Sequence, residues 1–215
     1  MTLPAAAAAE LAAVLSDAVP ADLLVGCRAI GAGDAALLLT EEARALTTTV
    51  PAARAASGAA RGLARTLLTQ LEAPPAPILR TPAGAPTWPT GYVGSLAHDD
   101  TVAVAVVARA ATAAGLGIDV EPAEPLPADV ATLVVRPDDR LGETGDPLAT
   151  RLAFVAKEAV YKAVHPLCGE ILDWPDIRID LDAGRAVTST GHRAEIRIVR
   201  TPRIVAVARV GHGGG

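Results

Sequence analysis

The sequence predicts an α+β protein built as two similar lobes, and two observations carry that expectation. Alanine-rich stretches with helical spacing alternate with short β-branched runs, in the order helix, strand, helix, strands, then strand, helix, strands. Of 215 residues, 51% are apolar and only 2% aromatic, so alanine and valine must fill most of the core. That length suits one large domain or two small, packed halves. The halves are placed at residues 1–112 and 113–211, meeting near 110–118, with 212–215 as a flexible tail. No internal sequence repeat underlies the pattern.

Ala5 to Ala18 reads as a helix on alanine propensity, and Leu23 to Ile30 as a strand. Glu41 to Leu46 suits a short helix, and Ala52 to Leu71 a longer one on which Arg61 and Arg65, four apart, share a face. Pro74, Pro75 and Pro77 end it and force an extended segment. Ile78 to Arg80 is then expected as a short strand, followed by a Pro/Gly-rich loop holding Trp88. Tyr92 to Ala97 and Thr101 to Arg109 predict a hairpin around His98-Asp99-Asp100. Gly117 to Glu121 is a further strand and Leu126 to Leu133 a weak helix. Pro147 to Val164 has the strongest helical pattern. Ile177 to Leu181, Ala194 to Val199 and Ile204 to Val210 are expected as closing strands, the last antiparallel to a neighbour.

The formal net charge is −5, which argues against non-specific nucleic-acid binding. Cys27 and Cys168 stand far apart in no metal-binding spacing, which suits a reducing, cytoplasmic compartment. The segment from Met1 to Pro20 carries no Lys or Arg and is broken by Glu10 and Asp17, so it does not read as a signal peptide. No apolar stretch reaches the roughly 18 residues of a membrane span. His165 and Cys168 lack the third group and oxyanion motif of a nucleophilic site. Asp99-Asp100 and Asp138-Asp139 read as turn and loop, and His192 and His212 as surface residues.

Lysine occurs only at Lys157 and Lys162, five positions apart, while 17 of the 19 basic residues are arginine. A compact ammonium does what a guanidinium fork cannot. Asp119 and Glu121 lie two apart in an extended segment, which puts both carboxylates on one face about 6.6 Å apart. They suit a hard cation such as Mg²⁺, or simply a solvated strand end before Pro122. On the helix from Pro147, Leu148, Leu152, Val155, Ala159 and Ala163 form one apolar stripe at about 100° per residue. Glu158 and Lys162 flank it, as site residues or as an ordinary i, i+4 ion pair. Lys157 points nearly opposite the stripe, to solvent or the outer lip of a site. Three carboxylates, a lysine one turn on, upstream arginines and a histidine together make a set for metal and polyphosphate.

The motifs together resemble the 4′-phosphopantetheinyl transferase superfamily, in its single-chain surfactin and siderophore class. Trp88-Pro89 with Gly94-Ser95-Leu96-Ala97-His98 is similar to the family's tryptophan-proline and Gly-Ser-Ile-Ser-His block. Gly117-Ile118-Asp119-Val120-Glu121 resembles its metal strand, and Phe154 to Lys162 its Phe-x-x-Lys-Glu-Ala-x-Tyr-Lys helix. Arg61 and Arg65 resemble a Gly-Arg-x-x-x-Arg element with Ala60 in place of glycine, and Pro77 to Arg80 a segment that usually ends in lysine. The likeness spans about residues 54–180.

The resemblance implies a pseudo-twofold fold with coenzyme A in a cleft between the lobes. It implies transfer of phosphopantetheine from coenzyme A to a serine of an acyl or peptidyl carrier protein, by a monomer; the charge and the lack of an apolar span argue against nucleic-acid and membrane partners. Mg²⁺ would be held by Asp119, Glu121 and Glu158, with Glu158 as the general base and Lys162 on the leaving phosphate. Asp119, Glu158 and Lys162 are the implied catalytic residues. Arg80 is implied on the phosphates, Arg61 and His98 at the 3′-phosphate, Lys157 as a further phosphate contact, and backbone at Thr81, Pro82 and Ala83 on the adenine. Tyr161 and residues Ile171 to Trp174 wall a pantetheine channel or pack into the core. Three positions depart from the family pattern: Ala97 replaces a hydroxyl residue at the phosphate site, Arg80 replaces lysine, and Ala53 stands where a basic residue is usual. Competing readings are a metal-dependent nucleotide pyrophosphate hydrolase using the same carboxylates and a non-catalytic coenzyme A binder.

Overall fold

Residues 3–213 are described by a computed structural model, so part of the tail expected at 212–215 lies outside the described residues. The fold is α+β, with two antiparallel sheets. The chain divides into two compact units, one ending at Thr112 and the other starting at Ala113.

In the first unit, α1 (Ala5–Ala18) buries Ala8, Leu11 and Leu15, one helical stripe. β1 (Leu24–Ala29), a 3-10 turn at Asp34–Leu37 and α2 (Thr40–Ala45) lead into α3 (Pro51–Gln70), which opens on a proline, the residue best suited to a first helical position. β2 (Tyr92–His98) and β3 (Val102–Arg109) form the expected hairpin, and the sheet runs β1-β3-β2. Asp99 closes the turn by accepting the N–H groups of Thr101 and Val102 at 2.6 and 2.7 Å. β3 is the centre strand and is buried from Val102 to Ala108, which explains its unbroken apolar run.

The strand expected at Ile78 to Arg80 does not form. Only a single bridge between Arg80 and Pro86 is present. Pro77, Pro82 and Pro86 remove the donors a ladder needs, so the segment becomes an extended arm and tight loop.

The second unit holds β4 (Gly115–Pro122), α4 (Ala128–Val134) and α5 (Ala149–Cys168). A 3-10 turn at Trp174–Asp176 then leads into β5 (Ile177–Asp180), β6 (Arg185–Thr188), β7 (Arg193–Val199) and β8 (Arg203–Val210). The sheet order is β4-β8-β7-β6-β5, antiparallel throughout, so the last strand pairs with the first. α5 runs four residues beyond the expected end at Val164, through Pro166, and closes on Gly169 in the left-handed conformation at φ 70°. β6 was not predicted: it has four residues, of which only Ala186 and Thr188 are buried. Leu152, Val155, Ala159 and Ala163 of α5 pack into one core with Ile177, Ile179, Ile196 and Ile204. No helix among the described residues is long and apolar enough to cross a membrane.

Candidate active site

Two glycines decide how α5 meets β4. A Cβ on Gly117 would stand 1.8 Å from the Ala159 carbonyl oxygen, and one on Gly115 2.2 Å from that of Ala163. No side chain fits at either place, so the helix backbone rests directly on the strand. That contact sets the reach of the polar residues flanking the helix stripe.

Lys162 Nζ lies 2.7 Å from Asp119 Oδ1 and 3.3 Å from the Ile118 carbonyl. Asp119 is only 8% exposed. Burial pushes its carboxyl above the usual carboxylate range; Lys162 opposes that rise, and the nearby negative charge of Glu158 adds to it. Asp119 thus feels the charge of Glu158 as well as that of Lys162. The helical ion pair allowed by the Glu158–Lys162 spacing is not made, because the lysine pairs with Asp119. Glu158 Oε1 instead accepts the indole N–H of Trp174 at 2.7 Å.

Glu121, on the same face of β4 as Asp119, pairs with Arg151 at 2.8 Å. The expected cluster of Asp119, Glu121 and Glu158 is thus not assembled: among the described residues, no three Asp, Glu, His or Cys side chains are grouped to hold a metal ion. The cause is the antiparallel run of α5 along β4. It brings Arg151 from the first helical turn to Glu121 and Lys162, eleven residues on, to Asp119, so each carboxylate takes its own cation. Asp119 and Glu158, whose charges influence one another, are the hard oxygen donors left at the β4–α5 junction, a pair that fits Mg²⁺, since that ion commonly takes one or two protein carboxylates and completes its shell with water and phosphate.

Lys157 corrects a second expectation. It stands neither in solvent nor at a lip, since its side chain is 0% exposed. Nζ donates to Asp139 Oδ2 at 2.6 Å, the Val134 carbonyl at 2.8 Å and the Trp174 carbonyl at 3.2 Å. An ammonium has three N–H donors and all three are committed, which leaves none for a phosphate. Burial lowers its pKa and the hydrogen bond to Asp139 opposes that. Asp139, expected as plain loop, also accepts the N–H groups of Arg136 at 2.8 Å and Ile179 at 2.9 Å.

In the first unit, Arg61 is buried on α3, 4% exposed. Nε donates to the Ile78 carbonyl at 2.9 Å and Nη1 to the Ser57 hydroxyl. Arg65 pairs with buried Glu42 at 2.6 Å, and Glu42 also accepts the Ile78 N–H at 2.8 Å. The arm leading to Arg80 is therefore gripped on both its carbonyl and its N–H. Burial lowers the Arg61 pKa first, and the positive charges of Arg80 and Arg65 lower it further against the single charge of Glu42. The guanidinium charges acting around Arg61 outnumber the one carboxylate, an excess of positive charge that favours an anion.

Arg80, Pro82 and Ala83 are exposed around the loop, where Thr81 N–H donates to the Ala85 carbonyl at 2.8 Å. The Thr81 hydroxyl is buried and lacks a hydrogen-bond partner among the described residues. Ala97 is buried in β2, and His98 is exposed at the strand's end with Nδ1 3.3 Å from the Asp99 carbonyl. Trp88 lies against Gly94, where a Cβ would stand 2.9 Å from its ring, so the tryptophan-to-glycine spacing of that motif is a packing requirement. Sequence reasoning missed Glu42, Asp139, Arg151 and the indole of Trp174. A buried lysine demands a counter-charge, but nothing in the sequence ranks Asp139 above Asp138.

Residues 41–108 match a family model described as the 4′-phosphopantetheinyl transferase N-terminal domain, and residues 115–207 one described as the 4′-phosphopantetheinyl transferase superfamily. Only residues 1–40, 109–114 and 208–215 fall outside both. The chain belongs to the 4′-phosphopantetheinyl transferase superfamily. It is 43% identical over 156 residues to 4′-phosphopantetheinyl transferase Svp of Streptomyces mobaraensis, covering 69% of this chain and 63% of that protein. It is 38% identical over 148 residues to 4′-phosphopantetheinyl transferase PptT of Mycobacterium tuberculosis, covering 67% and 65%. It is also 38% identical over 84 residues to enterobactin synthase component D of Salmonella typhimurium, covering 36% and 34%. The chain thus spans less than two thirds of the length of these curated phosphopantetheinyl transferases.

Proposed function

We propose that this chain transfers the 4′-phosphopantetheine arm of coenzyme A to a serine hydroxyl of an acyl or peptidyl carrier protein. The observation that carries the reading is the buried Asp119, paired with Lys162 at 2.7 Å and sharing its surroundings with the charge of Glu158. Two carboxylates and one ammonium at the junction of β4 and α5 form a site short of positive charge. A divalent cation with a pyrophosphate answers that shortage.

Asp119 and Glu158 would hold Mg²⁺. When bound, the ion supplies charge neutralisation to the pyrophosphate. Glu158 keeps Oε1 on the Trp174 indole, which leaves Oε2 for the proton of the carrier serine, directly or through one water. The serine oxygen bonds to the phosphorus that carries the pantetheine arm, and the bond from that phosphorus to the bridging oxygen breaks. Adenosine 3′,5′-bisphosphate leaves with the electron pair. Lys162 stands by to stabilise the phosphate charge that develops, exchanging part of its hold on Asp119. In the first unit, Arg80 and the remaining capacity of Arg61 suit the other phosphates of coenzyme A, with His98 at the 3′-phosphate and the backbone of Thr81 to Ala83 at the adenine. Ala97 contributes no hydroxyl there.

Intact-protein mass spectrometry of apo carrier proteins incubated with the chain, coenzyme A and Mg²⁺ tests the reading. A gain of the phosphopantetheine mass is expected. Release of free phosphopantetheine without any carrier would identify a hydrolase instead, and coenzyme A bound but unchanged would identify a binder.

A further inference from the structure

One lysine of the pair has no place at the carboxylate site, yet its side chain and that of its partner Asp139 are both sealed from solvent. Lys157 reaches three oxygens, all on segments that cover the face of α5 away from β4: Asp139, the Val134 carbonyl and the Trp174 carbonyl. An arginine could not serve here, because its planar fork does not address three converging oxygens in a sealed space. The consequence falls on Trp174. Its carbonyl is held by Lys157, the carbonyl of the next residue, Pro175, accepts from Arg136 Nη1, and its ring leans on Phe154 with centroids 5.7 Å apart. A residue held at its own carbonyl, at the carbonyl of the next residue and along its ring then offers one donor, the indole N–H, to Glu158 Oε1 at 2.7 Å. Lys157 and Glu158 are adjacent in sequence and point to different sides of the helix. Both reach this tryptophan, Lys157 at its carbonyl and Glu158 at its indole.

We propose that Trp174 is a positioning residue for Glu158, and that Lys157 with Asp139 fixes Trp174 in place. The reading rests on the transfer function proposed above. An indole N–H is a single, directional donor. By holding Oε1 it limits the rotation of the glutamate and leaves Oε2 for the site. The same device accounts for an aromatic at this position in a chain with only two tryptophans. A purely apolar ring would pack against Phe154 equally well and leave the glutamate loose. Partners that orient a metal or proton-transfer ligand from behind typically matter by about 10–100-fold.

The test has two independent arms. Trp174→Phe keeps the ring and removes the N–H. It is expected to lower kcat for carrier modification about 10–100-fold, with KM for coenzyme A within about twofold of wild type. The second arm uses the two indole N–H signals in a nitrogen-15 correlation spectrum, assigned by the loss of one in Trp174→Phe. The Trp174 signal is expected to exchange slowly with water, and to shift and exchange faster in Glu158→Ala. It should also broaden in Lys157→Met, while the Trp88 signal stays put. Should Lys157→Met fail to fold, Glu158→Ala and Trp174→Phe still decide. Wild-type kcat in Trp174→Phe, or a Trp174 signal indifferent to Glu158→Ala, overturns the proposal. A wild-type chain that modifies no carrier overturns the functional reading instead, and the indole signal then decides alone whether the tryptophan holds the glutamate.

Discussion

Replacing Gly117 with alanine adds one methyl group and should disable the site without touching a polar residue. The new Cβ would sit 1.8 Å from the Ala159 carbonyl oxygen and 2.8 Å from the Ala163 backbone nitrogen. A relaxed carbon–oxygen contact is about 3.3 Å, so α5 must withdraw from β4 by about 1.5 Å. Both obstacles are backbone, and no rotamer change relieves them. Overpacking of this kind costs about 1–3 kcal/mol, and the rigid pairing of strand and helix places Gly117→Ala toward the upper end. For a chain of this size each kcal/mol lowers Tm by about 2–4 °C. The larger effect is on chemistry, because Lys162 and Glu158 ride on α5 while Asp119 rides on β4. A misplacement of about 1 Å can cost about 100-fold in rate. Thermal unfolding and carrier modification measured on the same preparation check both parts. A variant that melts with the wild type and modifies carrier at the wild-type rate would refute the claim that the glycine sets this geometry.

Glu158→Gln should leave coenzyme A binding intact by calorimetry and reduce transfer by about 10²–10⁴-fold, the range for losing a general base. Asp139→Ala leaves the Lys157 ammonium buried without its counter-charge and should cost about 3–5 kcal/mol in urea unfolding, whereas Asp138→Ala, whose carboxylate bonds exposed Arg136, should cost little. The Cys27 thiol is pushed up to about 12 by burial and then by the charge of Asp99. It should resist iodoacetamide at pH 8 in the native chain and react in urea, read by peptide mass spectrometry. Because the folded value lies above the unfolded one, near 9.0, this thiol stabilises the fold fully below about pH 9. That stabilisation is lost as the pH rises toward 12, and the alkaline fall in stability should be shallower in Cys27→Ala.

Much of the fold was legible because its signals are local. The stripe of Leu148, Leu152, Val155, Ala159 and Ala163 marks the face of α5 that meets the sheet, and the β-branched runs mark the hairpin and the closing strands. What failed depended on a second layer. Helical angles place Lys157 opposite the β4 face, and solvent follows only if nothing covers that side. Here α4, the Asp139 loop and the Trp174 turn cover it, so the same angle delivers a sealed ion pair. Likewise the pleat correctly puts Asp119 and Glu121 on one face of β4, but it is silent on which cation each meets. Arg151 and Lys162 divide them because of the direction of α5, a tertiary fact. Ile78 to Arg80 lost its strand to flanking prolines, and β6 was too short and too little apolar to announce itself.

The claim that Asp119 and Glu158 share a divalent cation can be tested by anomalous scattering from crystals grown with coenzyme A and Mn²⁺. A manganese peak is expected within about 2.0–2.6 Å of carboxylate oxygens from both residues, against the pyrophosphate. A peak elsewhere, or no peak with Asp119 still closed on Lys162 beside bound coenzyme A, would contradict it.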